Sequence, residues 1–135
     1  SFSASAFQDI VGQAQKNLGN LSPVNSQFQS KGELWSRNYV LDGIQSNILR
    51  VRKGDSSDRA IAFFKELKTY PNLSKKVFLV INFISKAELA DRLSKLKRDE
   101  PFRERNEVIQ ILWFVSSLIS SCYEVGAESY IICKP

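Results

Sequence analysis

The chain has 135 residues, 43% of them hydrophobic, and a formal net charge of +5 from 19 Lys and Arg against 14 Asp and Glu. These values are typical of one globular domain with a hydrophobic core, and the positive charge favours an anionic partner. The chain has no histidine, which excludes Ser-His-Asp and Cys-His nucleophiles and histidine-ligated haem or zinc.

Residues 1–31 are predicted to form a helix followed by an extended arm. Apolar residues recur at helical spacing from Phe7 to Leu18, and Gly19 ends the stripe. The next stretch, NLSPVNSQFQSKG, is rich in Ser, Asn and Gln and contains Pro23, as is typical of an arm or linker. The chain begins SFSASAF without Met. We therefore expect a processed protein, exported or organellar.

Two further helices are predicted before residue 74. Apolar residues at positions 34, 41, 44, 48 and 51 step by seven, three, four and three, which predicts a helix of about twenty residues ending at Lys53 and Gly54. The run DSSDRAIAFFKELKTYP then predicts a short helix that Pro71 ends. Its N-cap candidates are Asp55, Ser56 and Ser57.

The stretch KKVFLVINFISKAELADRLSKLK, residues 75–97, combines a strand-like first half with a helical second half. No Gly, Pro or Asn-Gly turn separates the halves, so we predict one long helix with Ser74 as its cap. The apolar stripe of this long helix consists of Leu79, Phe83, Ala87, Ala90, Leu93 and Leu96.

A last helix follows Pro101 and reaches Tyr123. Its sixteen uncharged residues between Glu107 and Glu124 are too few to span a membrane.

These elements predict an all-α protein. Short connections favour an up-down-up-down four-helix bundle over residues 32–123, after the N-terminal helix and arm of residues 1–31 and before a short tail of residues 124–135. The alternative is an α+β fold in which VFLVINFI and SYIIC pair as strands.

No pattern of catalytic residues or metal ligands emerges. The six glycines are scattered singly, so there is no phosphate-binding loop. Glu104 and Glu107 alternate with Arg103 and Arg105, which is typical of a solvated helix start with ion pairs. We therefore expect no enzymatic activity, no cofactor and no metal.

Two basic groups are candidate surfaces for docking on an acidic partner, where charges act mainly on association rate and salt sensitivity. One lies at the predicted turn before the last helix and the other at the end of the predicted helix that begins near Glu33. The first group is Lys95, Lys97, Arg98, Arg103 and Arg105, and the second is Arg50, Arg52 and Lys53. Cys122 and Cys133 are the two cysteines, and the sequence leaves open whether they form a disulfide or remain free thiols.

Two resemblances bear on function. GIQSNILR, residues 43–50, resembles an IQGNIL-like segment of dye-decolorising peroxidases, but that family ligates haem through histidine, which is absent here. The Ser/Asn/Gln arm at 19–31, the helices predicted from Glu33 to Tyr123 and the excess of Lys and Arg are together similar to the extrinsic lumenal subunits of photosystem II, the PsbQ-like proteins and their algal counterparts. This resemblance implies a non-enzymatic subunit of the thylakoid lumen, peripheral to the membrane, that docks on core subunits and stabilises the oxygen-evolving side. The alternative is a small basic nucleic-acid-binding or effector-type module with steep salt dependence.

Overall fold

The computed structural model describes residues 2–54 and 56–135, which form an α+β protein. The all-α prediction and the four-helix bundle over residues 32–123 are therefore wrong. The described residues divide into two compact units: the first combines the chain up to Leu21 with Ser74–Pro135, and the second is Ser22–Leu73. The elements in chain order are α1 (Ala4–Asn17), a 3-10 helix (Leu18–Leu21), α2 (Asn25–Trp35), β1 (Asn38–Leu41), β2 (Ile44–Leu49), α3 (Ser57–Leu67), β3 (Lys75–Ser85), α4 (Lys86–Lys97), α5 (Arg105–Glu124) and β4 (Ala127–Lys134).

The first unit is built on a parallel pair of strands, β3 and β4, connected by α4 and α5. The register runs from Lys75 opposite Ala127 to Val80 opposite Ile132. Side chains alternate from Lys75 to Ile81 of β3, so that Val77, Leu79 and Ile81 face the core, and after an irregularity beyond Val80 the side chain of Ile84 is buried as well. Helix α1 packs against β3, and α5 packs against α1 and β4. The core includes Phe7 and Val11 of α1, Leu79, Ile81 and Ile84 of β3, and Ile111, Leu118 and Cys122 of α5.

Residues 75–97 change from strand to helix within one residue, so the single long helix predicted there is wrong. Ser85 has an extended backbone (φ −84°, ψ 147°), and its Oγ accepts a hydrogen bond from the Glu88 amide at 3.1 Å. A side-chain cap therefore starts α4 without a Gly or Pro turn. The tail also forms a strand, β4, and the predicted helices near both chain ends are confirmed as α1 and α5.

The second unit contains α2, the hairpin of β1 and β2, and α3. The helix predicted over residues 33–53 is wrong, because Asp42 and Gly43 form a tight turn with φ of 49° and 80° between β1 and β2. An Asp-Gly pair suits such a two-residue hairpin turn. The extended arm predicted at 19–31 is also wrong, since α2 begins at Asn25. The short helix before Pro71 is confirmed as α3.

Helices α2 and α3 contact each other closely. A Cβ at Gly32 would lie 2.6 Å from Ile61 Cδ1, so a larger residue there would require the end of the Ile61 side chain to move. The rings of Trp35 and Phe64 lie beside it, with centroids 6.1 Å apart. Ser56 is the N-cap of α3, because its Oγ accepts a hydrogen bond from the Arg59 amide at 3.2 Å. Asp55, which is also an N-cap candidate in the sequence, lies outside the described residues.

None of the helices in the described parts of the chain is long and apolar enough to cross a membrane.

Candidate interaction surfaces

The first predicted basic group is largely neutralised by its own neighbours. Lys95 in the last turn of α4 pairs with Asp91 at 2.8 Å, and Arg98, the C-cap residue, pairs with Glu100 at 2.6 Å. The hydrogen bond from Lys95 holds the pKa of Asp91 below its ordinary value, and the hydrogen bond from Arg98 does the same to the pKa of Glu100. These cations therefore have little net charge to offer a partner.

The remaining members of that group differ in their pairing. Arg105 begins α5 and its guanidinium lies 3.2 Å from a carboxylate oxygen of Asp99. Lys97 and Arg103 have no carboxylate of the described residues within ion-pair distance. The structure therefore brings the five residues to one region of the first unit, and two of them, Lys97 and Arg103, have no ion-pair partner among the residues that it describes.

The second predicted group, Arg50, Arg52 and Lys53, follows directly after β2, and we call it the hairpin-end cluster. None of the three pairs with a carboxylate among residues 2–54 and 56–135. The Arg50 guanidinium lies over the ring of Tyr39, 5.2 Å from its centroid, and the Arg50 Nε is buried with no hydrogen-bond partner in the described part of the chain. The cation–π contact fixes Arg50 against the hairpin.

Exposed apolar side chains accompany the hairpin-end cluster. Ile48 and Leu49 at the end of β2 are 49% and 61% exposed. Together with Asn47, Val51 and Arg52 they line an open depression of about 360 Å³. A two-stranded hairpin with apolar residues exposed in this way is marginal by itself in water. This part of the second unit therefore presents apolar surface and unpaired positive charge side by side.

A second surface lies on β3 and β4, on the side opposite the core. We call it the outer sheet face; its apolar members are Phe78 and Val80 of β3 and Tyr130 and Ile132 of β4, which are 40–66% exposed. The rings of Phe78 and Tyr130 stack, with centroids 5.0 Å apart and planes 17° apart. Parallel sheets are normally covered on both faces, so an uncovered apolar face on this pair is unusual.

Opposite charges stand at one end of the outer sheet face. Lys76 and Glu128 are register partners at the start of the two strands. The Lys76 ammonium lies 5.9 Å from the centroid of the Tyr130 ring, and the Tyr130 hydroxyl donates a hydrogen bond to Glu128, which raises the pKa of Tyr130. Within the described residues neither charge forms an ion pair.

The described residues contain no group of three or more Cys, Asp or Glu that could hold a metal. Cys122 is buried on α5 and Cys133 is half-buried on β4, and both are free thiols. Burial raises the pKa of the Cys122 thiol, so its reactive thiolate form is disfavoured. Glu104 and Glu107 were expected at a solvated helix start with ion pairs: Glu104 does pair with Arg92, at 3.3 Å, but an oxygen of Glu107 is buried.

The outer sheet face was missed by the sequence reasoning because residues 75–85 were interpreted as helical. The sequence signal was the run from Val77 to Ile84, which is rich in β-branched and aromatic residues, a composition that is also typical of a buried strand. Compared with known proteins, the chain matches no family model, no curated protein and no solved structure.

Proposed function

We propose that this chain is a non-catalytic accessory subunit that docks on an acidic surface of a larger protein through the hairpin-end cluster. The observation that carries the proposal is the difference between the two basic groups. Arg50, Arg52 and Lys53 have no acidic partner among the described residues, whereas three of the five cations in the other group do.

The physical argument combines charge and apolar burial. Unpaired surface cations attract an acidic patch over about one Debye length, roughly 8 Å at physiological salt. Such charges raise the association rate and fix the orientation of docking. The exposed side chains of Ile48 and Leu49 would then add the free energy of apolar burial, about 25 cal/mol for each Å² removed from water.

The partner is defined here by its chemistry alone. The similarity to photosystem II subunits depended on an extended arm followed by a four-helix bundle, and the α+β fold overturns that architecture. What the proposal keeps is an accessory role and an acidic protein surface with an apolar patch at its centre.

The test is a pair of double charge reversals. Arg52→Glu with Lys53→Glu lowers the net charge by four, from +5 to +1. Lys97→Glu with Arg103→Glu makes the same change at two cations that also lack ion-pair partners among the described residues. Each tagged variant is incubated at low salt with a nuclease-treated extract of the producing cells, and bound proteins are eluted with rising salt and identified by mass spectrometry.

The proposal expects one acidic protein to be retained by the wild type and by the Lys97/Arg103 variant, but released at clearly lower salt from the Arg52/Lys53 variant. Equal weakening in both variants would mean that net charge, rather than this surface, drives binding. Failure to retain any protein after nuclease treatment would contradict the proposal.

A second candidate function is binding of single-stranded nucleic acid, favoured by the ring of Tyr39 next to Arg50, which Arg52 and Lys53 follow along the chain. An aromatic face beside cations can stack a base while the cations contact phosphates. Three phosphate contacts would give a slope of about −2 for log K against log salt. Fluorescence anisotropy with a labelled oligonucleotide measures this slope, and Tyr39→Ala should weaken binding if the ring stacks a base.

A further inference from the structure

We infer that the outer sheet face of β3 and β4 is a self-association surface, covered in the assembled protein by the same face of a second copy of this chain. The inference concerns the first unit and does not depend on the docking proposed for the hairpin-end cluster. It starts from the apolar rows of the face, Phe78 beside Tyr130 and Val80 beside Ile132.

The charges on the outer sheet face are self-complementary. Its first row holds one cation, Lys76, and one anion, Glu128, on neighbouring strands. Each lacks an ion-pair partner within the described residues, although both contact Tyr130. A surface of a single sign would repel its own copy, whereas a row with one charge of each sign can match itself when the two strands are exchanged.

One arrangement satisfies all three rows together. Sheets that pack face to face align their strands within about 30°. If the two-fold axis runs along the strands between the sheets, β3 of one copy lies over β4 of the other, and both strands keep their direction. Rows at the same height then face each other: Lys76 opposite Glu128, Phe78 opposite Tyr130, and Val80 opposite Ile132.

The available area predicts a weak dimer. Taking about 200 Å² for an aromatic side chain, the four apolar residues expose on the order of 400 Å² together. A standard interface buries about 800 Å² on each partner. The apolar rows would thus supply about half of the contact and polar side chains of the same face the rest. We expect a dissociation constant in the micromolar range, at the weak end for such interfaces.

The first test uses sedimentation velocity over a wide range of concentration. Wild type should shift from monomer to dimer, and Val80→Glu should remain monomeric because it places a carboxylate in the apolar centre. The matched control is Ile44→Glu, which changes an even more exposed β-branched residue, 73% exposed on β2, and should dimerise like wild type. Circular dichroism checks that both variants are folded.

The second test is specific to the orientation. Lys76→Glu and Glu128→Lys should each weaken self-association at least tenfold at low salt, because each places like charges opposite one another. An equimolar mixture of the two variants should form a heterodimer at wild-type affinity, since every opposed pair is again of opposite sign. Raising the salt concentration should reduce these differences.

Three results would overturn the inference. The first is a wild-type chain that stays monomeric over the whole concentration range. Capture of a different protein by a crosslinker placed at position 80 would not rescue the inference in that case. The second is a Val80→Glu variant that dimerises like wild type. The third is a mixture of the charge variants that shows no recovery. The Arg52/Lys53 reversal should leave dimerisation unchanged, so failure of this inference and failure of the proposed docking can be told apart.

Discussion

Replacing Ile81 with alanine tests the strand assignment of β3 against its immediate neighbour, Val80. Ile81 is 3% exposed and belongs to the core of the first unit, whereas Val80 is 66% exposed on the outer sheet face. Truncation of a buried isoleucine to alanine costs about 2–5 kcal/mol, through lost transfer free energy and the cavity left behind. We expect a loss of roughly 3.5 kcal/mol in the free energy of unfolding for Ile81→Ala.

The expected cost for Val80→Ala is much smaller. Only about a third of its surface is covered, and complete burial of such a side chain contributes about 1.5–3 kcal/mol. The lost burial therefore amounts to about 0.5–1 kcal/mol. Two adjacent residues of one strand should thus differ severalfold in their effect on stability, because their side chains lie on opposite faces of the sheet.

Urea unfolding followed by far-ultraviolet circular dichroism measures both losses. The fluorescence of Trp113 in a Trp35→Phe background reports the first unit separately, because the chain has two tryptophans and Trp35 belongs to the second unit. With a urea m-value of about 2 kcal/mol/M, the midpoint should fall by roughly 2 M for Ile81→Ala and by less than about 0.5 M for Val80→Ala. The protein is kept dilute so that the outer sheet face is free. Equal losses for the two substitutions would refute the alternation and, with it, the strand.

Three further predictions concern local structure. Ser85→Ala should cost about 1 kcal/mol because the first turn of α4 loses its side-chain cap, while Ser85→Thr should retain most of it in urea unfolding. Gly43→Ala should lower the free energy of unfolding by about 1 kcal/mol, and the melting temperature with it, because alanine is strained in the left-handed region. Gly12→Ala, in an open position of α1, should raise the free energy of unfolding by a similar amount. Stability should fall with acid: the hydrogen bond from Lys95 lowers the pKa of Asp91, so its contribution is present above the ordinary value of 3.8 and is lost as pH falls through the lowered folded value. In Asp91→Asn the free energy of unfolding should depend less steeply on pH in the acid range. The difference should be modest because the carboxylate is exposed.

The helices α1, α3 and α5 follow directly from the sequence because apolar residues recur at helical spacing in each, and a local stop signal (Gly19, Pro71 or Gly126) follows it. The hairpin could have been predicted too. Asp42 and Gly43 stand between apolar stretches, which is the strongest short-range hairpin signal. The apolar spacing from Leu34 to Val51 hid it, since seven, three, four and three also suits a helix.

For the two basic groups, too, the sequence supplied the candidates and the structure was needed to choose between them. The sequence identified both as candidate docking surfaces but could not rank them, because acidic residues lie near each. Side-chain geometry ranks them: Asp91, Asp99 and Glu100 lie within reach of the first group, and no described carboxylate pairs with the hairpin-end cluster. Ion pairing depends on distances of a few ångströms, which residue spacing does not fix.

By itself the sequence determined the absence of histidine chemistry, the positive charge and the three helices with local signals. Only the tertiary structure decided that residues 75–85 form a strand. An apolar run of this length has neighbours at both strand and helix spacing, so periodicity cannot choose between them. The choice is made by hydrogen bonds to β4, whose residues lie about fifty positions further along the chain. The same pairing aligns Lys76 with Glu128 and creates the outer sheet face, because long-range register brings together side chains that are far apart in sequence.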